Sequence, residues 1–244
     1  MKRSFVLLFV VLFISCKKDS PDPTFPDAAL CQTTVDGKVY TSYEYQNGLL
    51  VKQNQFGPCD TPHGMISYGY KAGKIQSEES AMKALYSSLP NAMCDPAGSY
   101  EKSWKNLEYD TQGRISKILL AKTSIEFEYK EGEVIKRYFQ DGAATSRVHY
   151  QKYDNKGNLI EERTPDTVNG GVTHYEYDDH PNPLYLNKGM YAGSAFEGPN
   201  NPVKAFDAKK QLLWERKFTY TDKGLPAKCL ESNGITYVYH YHYK

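Results

Sequence analysis

The residues best suited to bind a metal lie at the end of the chain and in one proline-rich segment. His240 and His242 are two residues apart in an alternating stretch, so a β-strand would present both imidazoles on one face. Asp178 or Asp179 could add a carboxylate, and this set would suit a metal-dependent hydrolase. Because no further ligand follows at a fixed spacing, we prefer a solvated strand face with tyrosines on its other side.

Two pairs of glutamates have the residue type for acid–base catalysis. Glu126 and Glu128 would share one face of a strand, whereas Glu161 and Glu162 would lie on opposite faces. Neither arrangement differs from that of a solvated sheet, and the sequence has no serine nucleophile motif, phosphate-binding glycine loop or His-Glu-x-x-His segment. We therefore predict a protein that is not an enzyme and needs no cofactor.

A short repeat organises the chain, and each copy consists of a tyrosine, a turn with glycine and an aliphatic residue. The surrounding alternation of apolar and polar residues indicates strands. The glycine supplies the positive φ needed at the last position of a hairpin loop, typically a type I turn closed by a G1 bulge. Copies with the glycine contain Tyr45, Tyr70, Tyr109, Tyr129, Tyr153 and Tyr220, and a copy that loses it contains Tyr177.

One hairpin per repeat predicts a single all-β domain over residues 31–244. We expect an antiparallel meander of tandem β-hairpins, with roughly fourteen to sixteen strands, forming one long twisted sheet or an open barrel. One short helix is predicted near residues 78–89, because Ser77 can cap its N-terminus and Pro90 would end it. This helix would cover an edge or a face of the sheet.

Two of the repeats carry a resemblance to a known family. Tyr109-Asp-Thr-Gln-Gly113-Arg-Ile115 and Tyr153-Asp-Asn-Lys-Gly157-Asn-Leu159 resemble the YD repeats, of Rhs type, of secreted bacterial proteins. The whole chain is similar to small YD-repeat-like lipoproteins of Bacteroidota, whose function is uncharacterised. The resemblance implies a hairpin-repeat fold and no catalytic residue, because the motif is structural. The length of the chain does not suit a toxin-encapsulating shell.

The first thirty residues predict export and lipidation. A basic start precedes an apolar run that is too short to span a bilayer, which is typical of a signal peptide over residues 1–15. Phe13-Ile-Ser-Cys16 resembles the lipobox of bacterial lipoproteins, so acyl chains on Cys16 would bind the lipid bilayer. Residues 16–30 are typical of a flexible tether. We expect a lipid-anchored protein of the outer membrane, facing either the periplasm or the cell surface.

Four cysteines follow Cys16, and an exported chain with an even number of cysteines usually forms disulfides. Three pairings are possible. Cys59 and Cys94 bracket the segment predicted to be helical, while Cys31 and Cys229 lie near the two ends of the domain. We therefore predict these two pairs.

The insertion from Asp178 to Val203 is the other candidate for function. It is rich in proline, glycine and asparagine, yet it contains Tyr185, Tyr191 and Phe196, which would either pack against the sheet or bind a ligand. A formal net charge of +1 with interleaved signs excludes a basic surface for nucleic acid. We expect a non-catalytic binding module for a glycan or a protein. A passive structural component of the envelope is the alternative, and a metal-dependent hydrolase comes third.

Overall fold

Every regular element in the described part of the chain is a β-strand. The computed structural model describes residues 28–57, 59, 61–83, 94, 99–164, 171–185 and 198–243, so the predicted signal peptide and Cys16 lie outside the described residues. The first strand begins within the segment predicted to be a tether. The strands are β1 (Ala28–Val35), β2 (Lys38–Gln46), β3 (Leu49–Gln55), β4 (Gly64–Lys71), β5 (Lys74–Lys83), β6 (Tyr100–Tyr109), β7 (Ile115–Leu119), β8 (Thr123–Lys130), β9 (Glu133–Gln140), β10 (Ala143–Tyr153), β11 (Leu159–Arg163), β12 (Val172–Pro181), β13 (Asn200–Asp207), β14 (Leu212–Tyr220), β15 (Pro226–Glu231) and β16 (Thr236–Tyr243).

These strands form one antiparallel sheet that closes into a barrel. Each strand pairs with its neighbours in sequence, and β1 pairs with β16, from Ala28 opposite Tyr243 to Val35 opposite Tyr237. The all-β class is confirmed, but the prediction of an open sheet or an open barrel is wrong. An open sheet would leave backbone N–H and C=O groups of two edge strands unpaired, and the closing pair satisfies both edges.

The predicted helix near residues 78–89 is also wrong where the structure can test it. Residues up to Lys83 belong to β5, and residues 84–89 lie outside the described part. β5 pairs with β4 and β6, and its two adjacent glutamates form cross-strand ion pairs, Glu78 with Lys105 and Glu79 with Lys102. Pairing on both sides overrides the local preference for a helix. Among the described residues, no helix has the length and apolar character needed to cross a membrane.

The barrel has two different rims, because the repeat turns all lie at one end. The turns that follow β2, β4, β6, β8, β10 and β14 contain the repeat glycines, and they lie at the end where β1 begins and β16 ends. We call this end the tether rim. The opposite end, the far rim, carries the turns that follow the odd-numbered strands.

The aspartate that follows the repeat tyrosine closes the longer turns. The Oδ1 atom of Asp110 accepts hydrogen bonds from the backbone N–H groups of Gln112 and Arg114, both at 2.9 Å. Asp154 does the same in the next long turn. Gly113 has a positive φ and donates its N–H to the Asp110 carbonyl, as expected for a type I turn closed by a G1 bulge. The turn at Asn47 and Gly48 is shorter, with positive φ at both residues.

Five of the seven repeat tyrosines, and Tyr241 in the last strand, donate a hydrogen bond to the backbone of the preceding strand. At the tether rim, β3 and β4 are not connected by a turn, and the Tyr70 hydroxyl of β4 donates to the carbonyl oxygen of Leu50 in β3 at 2.7 Å. Burial raises the pKa of Tyr70 to about 12, so its hydroxyl remains a donor at physiological pH. Six tyrosines make this bond at 2.5 to 2.9 Å. The donors Tyr45, Tyr70, Tyr109, Tyr129, Tyr177 and Tyr241 bind the carbonyls of Leu30, Leu50, Ile75, Ile115, Leu159 and Pro226.

Strand pairing assigns each side chain to one of the two faces of the barrel wall, since residues directly opposite in neighbouring strands share a face. The face with the repeat tyrosines also carries the buried apolar cluster, while the other face carries ion pairs such as Lys117–Glu126. We assign the first face to the barrel interior, because side chains on a concave wall converge and lose contact with water. The cluster consists of Leu50, Tyr68, Ile75, Leu107 and Ile118.

One of the two predicted disulfides is confirmed. Cys59 and Cys94 are joined, whereas Cys31 and Cys229 are buried thiols that form no disulfide with each other. Cys229 in β15 pairs with Tyr237 of β16, and Cys31 lies beside a position about four residues further along β16. The two Cα atoms are therefore separated by more than ~10 Å, beyond the ~7 Å limit for a disulfide.

We predict that Tyr109→Phe lowers the free energy of unfolding by about 1 kcal/mol, because the Ile75 carbonyl loses its hydroxyl donor while the ring stays in place. Urea unfolding followed by circular dichroism measures the change. The matched control is Tyr150→Phe, since the Tyr150 hydroxyl has no hydrogen-bond partner among the described residues. Equal stabilities of the two variants would contradict a structural role for the Tyr109 hydroxyl.

Candidate functional site on the barrel interior

The residues proposed to bind a metal are not brought together. His240 is exposed on the barrel exterior, where its Nε2 atom lies 3.2 Å from the Thr34 hydroxyl. Asp178 belongs to β12, and three strands separate it from His240 on β16, which corresponds to roughly 19 Å along the wall. No group of three or more potential metal ligands exists among the residues that the structure describes. The set His240, His242 and Asp178 therefore cannot hold one ion.

Asp178 instead anchors the start of the insertion. Its Oδ2 atom accepts a very short hydrogen bond from the Tyr220 hydroxyl, and its Oδ1 atom accepts from the backbone N–H of His180 at 3.1 Å. The His180 ring stacks on the Tyr220 ring with 3.7 Å between centroids. Burial and the hydrogen bond to Asp178 raise the pKa of Tyr220, so this hydroxyl keeps its proton at neutral pH and donates it to the carboxylate in the hydrogen bond. This arrangement holds the backbone and leaves no carboxylate oxygen unused.

A network of buried asparagines holds the two ends of the insertion together. Asn201 is 2% exposed, and its side-chain amide donates to Asp178 and to the carbonyl oxygens of His180 and Pro181. Asn182 donates in the same way to the carbonyl oxygen of Gly198 at 2.9 Å. These bonds favour the packed-insertion alternative at the ends of the loop.

Of the predicted ligand-binding residues in the insertion, only Tyr185 can be placed. It is 40% exposed, and its backbone N–H donates to the Asn182 carbonyl. Tyr191 and Phe196 lie outside the described residues. The binding role of all three stays a prediction.

A polar cluster on the interior wall was not identified from the sequence. Lys136 and Tyr138 of β9 face the barrel interior, because their strand partners in β8 are Phe127 and Ile125. Lys136 is opposite His149 of β10, which places alternate residues of β10 on the same face. The His149 cluster, as we call it, consists of Lys136, Tyr138, Arg147, His149, Gln151, Glu162 and Tyr175.

Hydrogen bonds orient the ring of His149. The Nε–H of Arg147 donates to the Nε2 atom of His149 at 3.1 Å. Because a guanidinium only donates, Nε2 is the acceptor in this hydrogen bond. Nδ1 lies 3.3 Å from the Tyr138 hydroxyl and 3.7 Å from Glu162. The lone pair of His149 is therefore already occupied by Arg147.

Glu162 is the anionic centre of the cluster. Burial by itself would raise its pKa, but the nearby His149 ring, the charge of Lys136 and the hydrogen bond from Gln151 outweigh burial and hold the pKa below its ordinary value. Burial and the nearby Glu162 raise the pKa of Tyr175 to about 12. At neutral pH the cluster thus presents a carboxylate, an amide and protonated hydroxyls.

The cluster extends from the middle of the barrel to the far rim. Tyr138, Glu162 and Tyr175 lie within three residues of the far-rim ends of their strands. Arg147 is exposed, as are all residues from 141 to 147 at the tip of the β9–β10 hairpin, so its side chain meets water at the far rim. Sixteen strands enclose a wider interior than the eight that side chains alone can fill. A small ligand could therefore enter from the far rim.

The predicted arrangement of the paired glutamates is confirmed. Glu126 and Glu128 share the exterior face, where they bind Lys117 and Arg137. Glu162 faces the interior, and its neighbour Glu161 faces outward toward Lys152, Arg163 and His174. In β10 the sequence places polar residues at alternate positions, Arg147, His149 and Gln151, which indicates a polar strand face. Only the register between β9, β10 and β11 shows which residues lie beside them.

Comparison with known proteins adds little to this picture. No protein-family model and no curated protein sequence matches the chain. The crystal structure of TcdB2-TccC3-Cdc42 is 10% identical, with 83% of this chain and 11% of that chain covered and a TM-score of 0.33. A porin-like protein from Bacteroides uniformis is 11% identical, with 89% and 98% covered and a TM-score of 0.34. Such low TM-scores establish no shared fold.

We predict that Asn201→Asp lowers the free energy of unfolding by about 3 kcal/mol, because the new carboxylate would face Asp178 and two carbonyl oxygens without a proton to donate. Thermal melting at pH 7 measures the loss. The introduced carboxyl should have a raised pKa in the folded state, so the loss should shrink as the pH falls toward 4. Asn155→Asp in an exposed turn is the control, and an equal loss there would contradict the role of the network.

Proposed function

We propose that this protein is a lipid-anchored, extracytoplasmic binding module that is not an enzyme and that binds a glycan inside its barrel. The observation that carries the proposal is the composition of the His149 cluster. The partly buried Glu162 offers a carboxylate beside the rings of Tyr138 and Tyr175, near the exposed far-rim end of β10, and the buried Gln151 holds that carboxylate in place. Sugars present hydroxyls to such polar groups and flat apolar faces to aromatic rings.

The occupied lone pairs of His149 and Asp178 support binding rather than catalysis by these two residues. His149 accepts from Arg147, and both carboxylate oxygens of Asp178 accept hydrogen bonds from the protein itself. A general base needs a free lone pair within reach of the substrate proton. Neither residue offers one in this arrangement.

The position of the tether agrees with access from the far rim. The chain enters the barrel at Ala28, on the tether rim, so acyl chains on Cys16 would place this rim next to the membrane. The far rim would then open away from the lipid. A ligand could reach Tyr138 and Glu162 without crossing the bilayer surface.

We predict that the purified full-length protein in detergent binds at least one oligosaccharide of a neutral and acidic panel, and that Glu162→Gln weakens this binding at least tenfold. Loss of a charged hydrogen bond to a sugar hydroxyl accounts for a change of this size. Isothermal titration calorimetry measures the affinity, and mass spectrometry of the recovered sugar should show no cleavage.

The control variant is Glu126→Gln, which removes a carboxylate from the barrel exterior. It should bind the sugar as the wild type does. Absence of binding to any saccharide, or equal weakening by both variants, would contradict a glycan site at the cluster. Binding to a protein found by cross-linking would then favour the protein-ligand alternative.

We predict that Cys16→Ser releases the protein from the membrane fraction and abolishes incorporation of radiolabelled palmitate, because no acyl chain can then be attached. Fractionation and autoradiography of cells measure both effects. Cys31→Ser should leave both unchanged, since Cys31 is buried in β1. Membrane association that persists without Cys16 would contradict the proposed anchor.

A further inference from the structure

Arg147 differs from the other arginines of the described ranges in having no carboxylate partner there. Its four counterparts form ion pairs: Arg114 with Asp110, Arg137 with Glu128, Arg163 with Glu133 and Arg216 with Glu231. Arg147 lies beside the interior residues Tyr138 and His149 near the far rim, and it is exposed. Its charge is therefore available to a molecule that reaches the far rim.

The Arg147 guanidinium is nevertheless held in place by its neighbours. Its central carbon lies 4.4 Å from the centroid of the Tyr138 ring, and its Nε–H donates to His149. The two terminal nitrogens make no hydrogen bond to any residue in the described part of the chain. A guanidinium that is stacked and held through Nε presents these nitrogens as a fixed fork, which loses little freedom when it binds an anion.

The charges around Arg147 favour an anionic group. Lys136 lies on the same face and is 6% exposed, and the Oε1 atom of Glu162 accepts a hydrogen bond from Gln151 with His149 beside it. The cluster thus carries two cationic side chains and one carboxylate. A planar or tetrahedral oxyanion can accept two parallel hydrogen bonds from the terminal nitrogens of an arginine.

We propose that Arg147 is the subsite that recognises the acidic substituent of an anionic saccharide, a carboxylate or a sulfate, while the rings of Tyr138 and Tyr175 and the carboxylate of Glu162 bind the neutral part. This inference rests on the proposed glycan function and specifies the class of glycan. It assigns to Arg147 a binding role and no role in chemistry.

The test compares matched acidic and neutral sugars on the full-length protein in detergent. The probes are oligogalacturonides, the same oligosaccharides after reduction of their carboxyl groups, and a sulfated galactan oligosaccharide. The wild type should bind one acidic probe at least tenfold more tightly than the neutral one, and this preference should fall as salt is added. Whether the carboxylated or the sulfated probe binds more tightly identifies the acidic group.

Two variants assign the preference to Arg147. Arg147→Gln should bring the ratio of acidic-sugar to neutral-sugar affinity close to one, while Arg147→Lys should retain part of the preference, because a lysine keeps the charge without the fork. Arg137→Gln, on the exterior face of the neighbouring strand, should behave as the wild type. Thermal melting of each variant confirms that it is folded.

The outcomes separate this inference from the proposed function. Equal binding of acidic and neutral sugars by the wild type would overturn the anionic subsite and leave glycan binding intact. An acidic preference that survives in Arg147→Gln would overturn the role of Arg147. Failure of every saccharide to bind would overturn the glycan function and this inference with it.

Discussion

The hydrogen bond from a repeat tyrosine to the backbone of the preceding hairpin is the interaction on which the barrel depends. Each hairpin is closed by its own turn at the tether rim, but adjacent hairpins meet there without a covalent connection. The Tyr109 hydroxyl, for example, donates a hydrogen bond to the carbonyl oxygen of Ile75 and so connects the two hairpins at this rim. A buried carbonyl oxygen without a donor would lower the stability of the fold. Six of the 21 tyrosines of the chain thus have a structural role in joining neighbouring strands.

Two repeat tyrosines depart from this pattern, and each lies beside a distinctive polar feature. The Tyr153 hydroxyl binds the side-chain oxygen of Gln151, which directs the amide nitrogen of Gln151 toward Glu162. The Tyr220 hydroxyl binds Asp178, where the insertion begins. A tandem repeat can give up a single link without losing its neighbours, because each unit is held mainly by the units beside it. The fold therefore tolerates a polar side-chain network at the two places where the tyrosine does not bind the backbone of the preceding strand.

Part of the site could be predicted from local pattern, and part could not. The opposite faces of Glu161 and Glu162 follow from the two-residue period of a strand, which needs no knowledge of the partner strand. The meeting of His149 with Lys136 and Tyr138 depends on the register of β9 against β10, including a shift of register within that pair. A slip of one residue would exchange interior and exterior side chains, so composition alone does not predict the cluster.

The sequence by itself determined the hairpin unit, the turn chemistry of residues such as Asp110 and Gly113, and the all-β class, because these follow from backbone geometry over a few residues. The sequence also predicted the disulfide between Cys59 and Cys94. Only the tertiary structure decided that β1 meets β16, that residues up to Lys83 extend a strand, and that a polar cluster lies inside. These features depend on strand pairing between segments that are far apart in the sequence. The free energy of this pairing exceeds the intrinsic preference of a few residues for helix or strand, and no short sequence pattern predicts it.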